Sequence, residues 1–395
     1  MRVLILGAGF GGLELASSLD ATLGAQVEVT LVDRAEGFVF GFSKLDVMFG
    51  RVPAEHVLHR YADLAPPGVR FVNAEVRSID PVARRVETDE GPLEADVLVA
   101  ALGADLDPAA TPGLVEAGHE FYTVAGAFAL REVIETFEGG NVVVGVTSTP
   151  FKCPPAPSET ALMVHDHLAA RGLLDRSTVS LVMPLGVPIP PSPAASEALL
   201  TEFAERGIGW HPGALVRSLD PGTLVQSLDP ATRSARLADG TEMPFDLFLG
   251  VPVHRAPDVV LESGLAEDGW IPVDPLTLRT RFEDVYAVGD VTSVGTPKAG
   301  VFAEGQASVV AAQLVARVRG KADPTTYDGH GTCYLEFGEG RVGKVEVTFL
   351  SGEAPRGALE GPSLDLAADK SEFGADRVRR WFGRDWTPLG SGTLT

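Results

Sequence analysis

The stretch that most constrains this chain is its start, MRVLILGAGFGGLELASSL, followed closely by VEVTLVDR. An apolar run from Arg2 to Leu6 reads as a buried strand. The Gly7-x-Gly9-x-x-Gly12 turn then opens a helix, and a second strand ends in Asp33. The glycines allow a tight turn, close approach of backbone to a pyrophosphate, and close packing of helix on strand. The helix N-terminus then favours the phosphate charge, and Asp33 stands about 20 residues on, where a carboxylate can accept from ribose hydroxyls. A lone glycine triplet says little, but strand, turn, helix, strand and acid in this order predict a dinucleotide site on a parallel sheet.

Two later segments indicate which dinucleotide. ADVLVAALGA (Ala95 to Ala104, with Gly103) and FEDVYAVGDV (Phe282 to Val291) are strands that run into small residues and glycine, the second into Gly289-Asp290. Both resemble the second and third fingerprints of flavoproteins with two dinucleotide domains, which implies FAD, with Asp290 near its ribityl and pyrophosphate groups. After Asp290, a Pro-Lys-Ala-Gly turn opens a helix expected from about Val301 to Arg319. The helix dipole and Lys298 are placed to face the flavin's pyrimidine edge and stabilise negative charge there. FVFGFSKLDVMFG (Phe38 to Gly50) is too apolar for a free loop and suits a wall around the ring.

Length and charge narrow the class. A chain of 395 residues exceeds one ordinary domain, and no apolar run approaches the ~20 residues of a membrane span. The 54 acidic against 32 basic side chains give a formal charge of −22, which repels nucleic acid. Met1 leads directly into the first strand without the regions of a signal peptide, so a cytoplasmic protein is expected.

The segment VRSIDPVARRVETDEGPLEADVLVAALG has an echo in VRSLDPGTLVQSLDPATRSARLADGTEMPFDLFLG. Each starts Val-Arg-Ser, continues as a strand-turn meander and ends in a buried strand at glycine. The expected fold is therefore α/β: two Rossmann-like, three-layer FAD/NAD(P)-binding domains, the second inserted in the first, plus a C-terminal α+β segment. The first is expected at 1–107 and 269–325, the second at 108–268, and the C-terminal segment at 326–395. The second domain's opening strand, Asn141 to Val146, is followed by valine, threonines and proline instead of a glycine triplet. That argues against NAD(P)H binding in the usual mode.

Directly after that strand comes FKCPPAPSE, with Cys153, one of only two cysteines in the chain. Two are too few for a disulfide scaffold or a four-thiolate metal site, which leaves thiol chemistry or packing, and no metal is expected. The Cys153-to-Glu159 loop resembles that of the sulfide:quinone oxidoreductases and the flavocytochrome c sulfide dehydrogenase flavoproteins. The likeness extends over most of the chain, to Cys333 in GHGTCYLEFGEG. It implies that Cys153 and Cys333 form a redox-active disulfide or persulfide on one face of FAD. It further implies that hydrosulfide attacks Cys333 and that electrons pass through Cys153 to the flavin. Family members often carry a further cysteine bonded to the flavin; this chain has none to spare, so noncovalent FAD is expected.

Local physics supports the same assignment. Ser158 is expected to cap the following helix, which puts Cys153 just before a helix N-terminus, where thiolate is favoured. Prolines hold the sulfur in place, and Glu159 either moves protons or stabilises the helix start. His165 and His167 read as part of a polar helix face. In the tail FGADRVRRWFGRDW, Arg377, Arg379, Arg380 and Arg384 alternate with Phe373, Val378, Trp381, Phe382 and Trp386. This basic amphipathic pattern suits a membrane surface, the inner face of the cell membrane, through which quinone enters; packing on its own core or in a homodimer is the other reading.

The expected function is an FAD-dependent oxidoreductase that passes electrons from sulfide, or a related sulfur species, to quinone. A type II NADH:quinone oxidoreductase and a flavin-based redox or sulfur sensor are the alternatives.

Overall fold

The computed structural model describes residues 1–220, 233–322, 325–350 and 352–388. One five-stranded parallel sheet runs in the order Val285–Ala287, Val97–Ala100, Arg2–Leu6, Glu28–Asp33, Val69–Asn73. Alternation along the central strand sorts its side chains. Val3 and Ile5 join a core with the helices Phe10–Leu23 and Gly300–Val318, while Leu4 and Leu6 face the opposite layer with Ile79, Val86 and Val260. The sheet is thus the middle of three layers.

A second five-stranded parallel sheet repeats the plan: His119–Glu120, Leu247–Val251, Asn141–Val146, Thr178–Met183, Gly209–Pro212. In both units an antiparallel meander precedes an inner strand. Val76–Asp80, Arg85–Thr88 and Gly91–Glu94 lead to Val97–Ala100; Val216–Asp220, Ser234–Leu237 and Glu242–Pro244 lead to Leu247–Val251. The part of the second sequence copy at 221–232 lies outside the described residues.

The chain crosses between the units on two short strands, Asp105–Asp107 and Val253–Arg255, which pair antiparallel. This corrects the expected end of the insertion at Asp268. Ala256, Val260 and Leu265 are buried against Leu4, Leu6 and Val32, so the first unit's core resumes just after Arg255.

The C-terminal segment bridges both units. In its three-stranded antiparallel sheet, His330–Glu336 pairs with Val342–Thr348, which pairs with Arg356–Ser363. Leu335, Phe337 and Val345 enter the second unit's core. The helix Asp365–Phe382 lies on the first unit instead, and here the expectation of a lipid-facing tail is corrected. Val378 and Trp381 are 0% exposed, Phe382 4% and Trp386 6%. Trp381 packs against the rings of Phe10, Phe38 and Phe40 and donates its indole N–H to Glu14 at 3.1 Å. Arg377 bonds Glu304 at 2.5 Å, Arg380 pairs with Glu14, and Arg384 meets His59 at 2.9 Å. Large aromatic surface is buried most favourably against other rings, and the arginines balance acids on the domain beneath. Among the described residues no helix is long and apolar enough to cross a membrane.

Candidate functional site

The three glycines of the first turn have different tasks. A Cβ on Gly7, whose φ is +100°, would stand 2.4 Å from the carbonyl oxygen of Ala101, and one on Gly12 would stand 1.9 Å from that of Gly7. Both positions are closed by the fold itself. Gly9 has no protein atom within 4 Å of that point and opens onto a cavity. Asp33 accepts from Ala8 N–H at 2.7 Å and from Ala35 N–H at 2.8 Å, so each carboxylate oxygen first anchors the turn. It also lines a cavity of about 650 Å³ together with Arg34 and Glu75. A second cavity of about 340 Å³ adjoins it, with Gly9, Ala101 and Gly103 on the walls of both.

Gly289, φ +81°, donates its N–H to Gln306 at 2.7 Å, and with Asp290 it lines the second cavity. Burial raises the Asp290 carboxyl above its usual range, against the pull of Lys152 and Lys298. Lys298 lines this cavity, as its expected place at the flavin edge requires, but its ammonium is already engaged within the protein. Its ammonium donates to the carbonyls of Asp290 at 2.5 Å and Thr292 at 3.1 Å and sits 3.3 Å from the centre of the Trp270 ring. It is 8% exposed and holds the Asp290 loop in shape. The two joined cavities, bare at Gly9 and Gly103 and flanked by Asp33 at one end and Asp290 at the other, fit an extended dinucleotide.

Cys153 and Cys333 both line the second cavity, and both are free thiols. They are close enough that charge on Cys333 raises the Cys153 thiol. Cys333 comes from the edge strand His330–Glu336, opposite Val345. Cys153 has φ +47°, a left-handed conformation that side chains rarely adopt. Its N–H donates to Lys298 O at 2.7 Å and its carbonyl accepts from Ala156 N–H at 2.9 Å. The prolines restrict the loop, but these two bonds set the cysteine in its strained geometry.

The expected Ser158 cap is not formed. The helix runs Ala156–Ala170 with Pro155 at its cap position, and Ser158 Oγ is buried inside the first turn without a partner. The expected thiolate bias is reversed too. Cys153 is open to the cavity but enclosed by protein elsewhere, so burial, then Glu159, pushes its thiol well above the usual range; the Ala156 N–H pulls weakly the other way. Burial and then Glu159 push Cys333 up to about 12. Desolvation outweighs the dipole because the apolar walls surround the sulfur while only one N–H points at it.

Glu159 lies in the first turn of that helix, 5% exposed, and its Oε1 accepts from Glu336 N–H at 2.9 Å. Burial raises its carboxyl to about 7, opposed chiefly by Lys370. Lys370 lines the same cavity and is paired with Glu336, which Arg51 approaches at 3.9 Å. His165 lies apart from the cavity in an ion network, 3.3 Å from Arg206, and His167 packs on Phe49.

Several wall residues carry little signal in the sequence. Lys44 donates to Tyr122 O, and Lys152 donates to Ala104 O at 3.1 Å; both, with Tyr122, line the cavity beside Cys153. Lys44 is the single cation of the apolar segment Phe38 to Gly50, and that is its one mark in the sequence. Phe373 lies edge-on to Phe42 and Tyr334, with ring centres 6.5 and 5.6 Å away, and the three form an aromatic wall near Lys370.

Comparison with known proteins agrees with this architecture. The family model described as pyridine nucleotide-disulphide oxidoreductase matches residues 1–313. The mitochondrial sulfide:quinone oxidoreductase of Mus musculus is 24% identical over 359 residues, covering 89% of this chain and 78% of that protein. The sulfide-quinone reductase of Aquifex aeolicus is 26% identical over 362 residues, covering 86% and 81%. The crystal structure of the sulfide:quinone oxidoreductase from Aquifex aeolicus superposes with a TM-score of 0.81 at 22% identity, over 96% of this chain and 91% of that one.

Proposed function

This chain belongs to the pyridine nucleotide-disulphide oxidoreductases and is an FAD-dependent oxidoreductase, and we propose that it takes electrons from sulfide and passes them to a quinone. One observation carries the reading: Cys153 and Cys333, 180 positions apart in the chain, line one cavity with Gly9, Gly289 and Asp290.

Gly9, Gly103, Gly289, Asp33 and Asp290 would hold the cofactor, with the dinucleotide turn toward its phosphates. Bound FAD supplies a two-electron acceptor that can be emptied again by a quinone. The protein's own chemistry lies at the sulfurs. In the oxidised form the two cysteines are joined, and hydrosulfide attacks the Cys333 sulfur. The Cys153–Cys333 bond breaks, a new sulfur–sulfur bond forms on Cys333, and Cys153 leaves as a thiolate carrying the electron pair. The persulfide S–H is acidic and needs a base nearby. Glu159, held near 7 and lining the same cavity as both sulfurs, which feel its charge, takes that proton and can return it.

The high thiol values of both cysteines have a use here. A buried thiolate is a costly, electron-rich species, so the state left after hydrosulfide attack is poised to give its electrons up. The aromatic wall of Phe42, Tyr334 and Phe373 supports an apolar, flat acceptor such as a quinone ring.

Anaerobic mixing of the FAD-loaded protein with sulfide tests the reading. The expected result is that sulfide bleaches the flavin band within the time of turnover, that NADH does not, and that added quinone then restores it. Rapid bleaching by NADH with no response to sulfide would overturn the reading in favour of an NADH:quinone oxidoreductase. Bleaching by one equivalent with no reoxidation by quinone would favour a sensor.

A further inference from the structure

Of the four lysines on the second cavity, two are fully compensated. Lys298 is capped by two carbonyls and a Trp270 ring, and Lys370 is paired with Glu336. Lys44 and Lys152 are different. Each donates to a single backbone carbonyl, of Tyr122 and Ala104 respectively, and neither has a carboxylate within ion-pair distance among the described residues. Glu120 acts on Lys44 through space, but its Oε2 accepts from the N–H groups of Tyr122 at 2.7 Å and Thr123 at 2.9 Å, and its Oε1 accepts from the Thr123 hydroxyl. Asp290 acts on Lys152 in the same way from beyond contact. His254, buried among these lysines and lowered to about 3, adds no charge of its own.

A second observation points to the same place. Tyr122 is 6% exposed, lines the cavity, and its hydroxyl has no hydrogen-bond partner among the described residues. Its proton is held more tightly because of burial and then Cys153, so the hydroxyl lies in the field of that sulfur. Two part-buried cations without counter-ions and a buried hydroxyl without a partner are costly unless an anion completes them.

We propose that Lys44 and Lys152, with the Tyr122 hydroxyl, form a subsite for a small sulfur anion beside Cys153. The proposal rests on the sulfide reading above and deepens it by naming the charge and size of the substrate. Hydrosulfide is an anion near neutral pH, and a protein of formal charge −22 repels it from a distance. A local pair of cations reverses that repulsion at the one position where the anion must arrive. The same pair holds the anionic end of a sulfur chain as it grows or leaves. Burial lowers Lys44 to about 8, so it is still mostly charged at neutral pH.

The test uses two alkylating reagents that differ in charge. The FAD-loaded protein is reduced with dithiothreitol, and Cys153 modification by anionic iodoacetate and by neutral iodoacetamide is followed by mass spectrometry of its peptide. The ratio of the two rates cancels the thiolate fraction. In the wild-type protein that ratio exceeds the ratio for the same peptide in the unfolded chain. Lys44→Met and Lys152→Met each lower it about fivefold, Lys44→Arg restores it, and the iodoacetamide rate and FAD content stay within about twofold. A wild-type ratio at or below the unfolded value overturns the proposal without any variant. So does an unchanged ratio in both methionine variants, or loss of FAD from both, which would assign the lysines to the cofactor. If the ratio falls but sulfide fails to bleach the flavin, the anion subsite stands and the sulfide reading fails.

Discussion

The Oε1 atom of Glu159 accepts a 2.9 Å hydrogen bond from the backbone N–H of Glu336, joining residues 177 positions apart. Glu159 stands in the first turn of the helix that follows Cys153, and Glu336 ends the strand that carries Cys333. The acid therefore ties the two sulfur-bearing segments together while standing in the cavity between them.

Its titration predicts a pH dependence of stability. The folded value of about 7 lies above the ordinary 4.5, so the native state binds more protons than the unfolded state between these values. Stability from this group is fully present below about 4.5 and is lost as pH rises through 7. Glu159→Gln, which keeps an acceptor for Glu336 N–H, is expected to raise unfolding stability at pH 8 by roughly 2–3 kcal/mol and to change it little at pH 4.5. Urea unfolding at the two pH values checks this; an equal effect at both would refute it. The same variant should slow sulfide turnover at least about tenfold.

The first turn offers a contrast between two glycines. Gly12→Ala places a methyl 1.9 Å from Gly7 O, so it should cost at least about 3 kcal/mol of apoprotein stability and lose FAD. Gly9→Ala meets no protein atom, and Gly9 has ordinary φ of −78° at the helix cap. It should leave apoprotein stability within about 1 kcal/mol and lower FAD affinity at least about tenfold. Thermal unfolding and FAD fluorescence titration of both variants decide the point. Equal FAD affinity in Gly9→Ala would remove the cofactor from this turn.

For the sulfurs, Cys153→Ser and Cys333→Ser should each retain FAD and lose sulfide-driven bleaching by at least about 100-fold. A single variant with full activity would show that the two cysteines do not act as a pair.

The buried tail yields a prediction opposite to that of a lipid anchor. Trp381→Ala should destabilise the protein by about 3–5 kcal/mol, because its ring fills the aromatic cluster of Phe10, Phe38 and Phe40 and its N–H is bonded to Glu14. Binding to anionic vesicles should not change. A stable variant with weakened vesicle binding would contradict the packing described.

Legibility in the sequence follows chain distance. The glycine turn, the strand ending at Asp33 and the duplicated meanders are readable because each is a contiguous unit with its own spacing. The helix beside Cys153 starts earlier than Ser158 suggests. Proline needs no N–H partner in a first turn, so Pro157 sits inside the helix and Ser158 falls too deep to cap it. The tail is amphipathic as its pattern indicates, but a stripe of rings beside arginines does not say whether it meets lipid or Phe10 and Glu14.

The sequence by itself determined that a dinucleotide turn opens the chain and that a cysteine loop stands where a second such turn would be. Those are local statements about which residues can adopt a turn. Only the tertiary structure decided that Cys333 shares the cavity of Cys153, that Lys298 braces a loop while Lys44 and Lys152 have no carboxylate in contact among the described residues, and that both thiols resist ionisation. The physical reason is that desolvation and ion pairing depend on what surrounds a group in space. Those surroundings come from segments far apart in the chain, brought together only by the closing of both sheets and the C-terminal strands around one cavity.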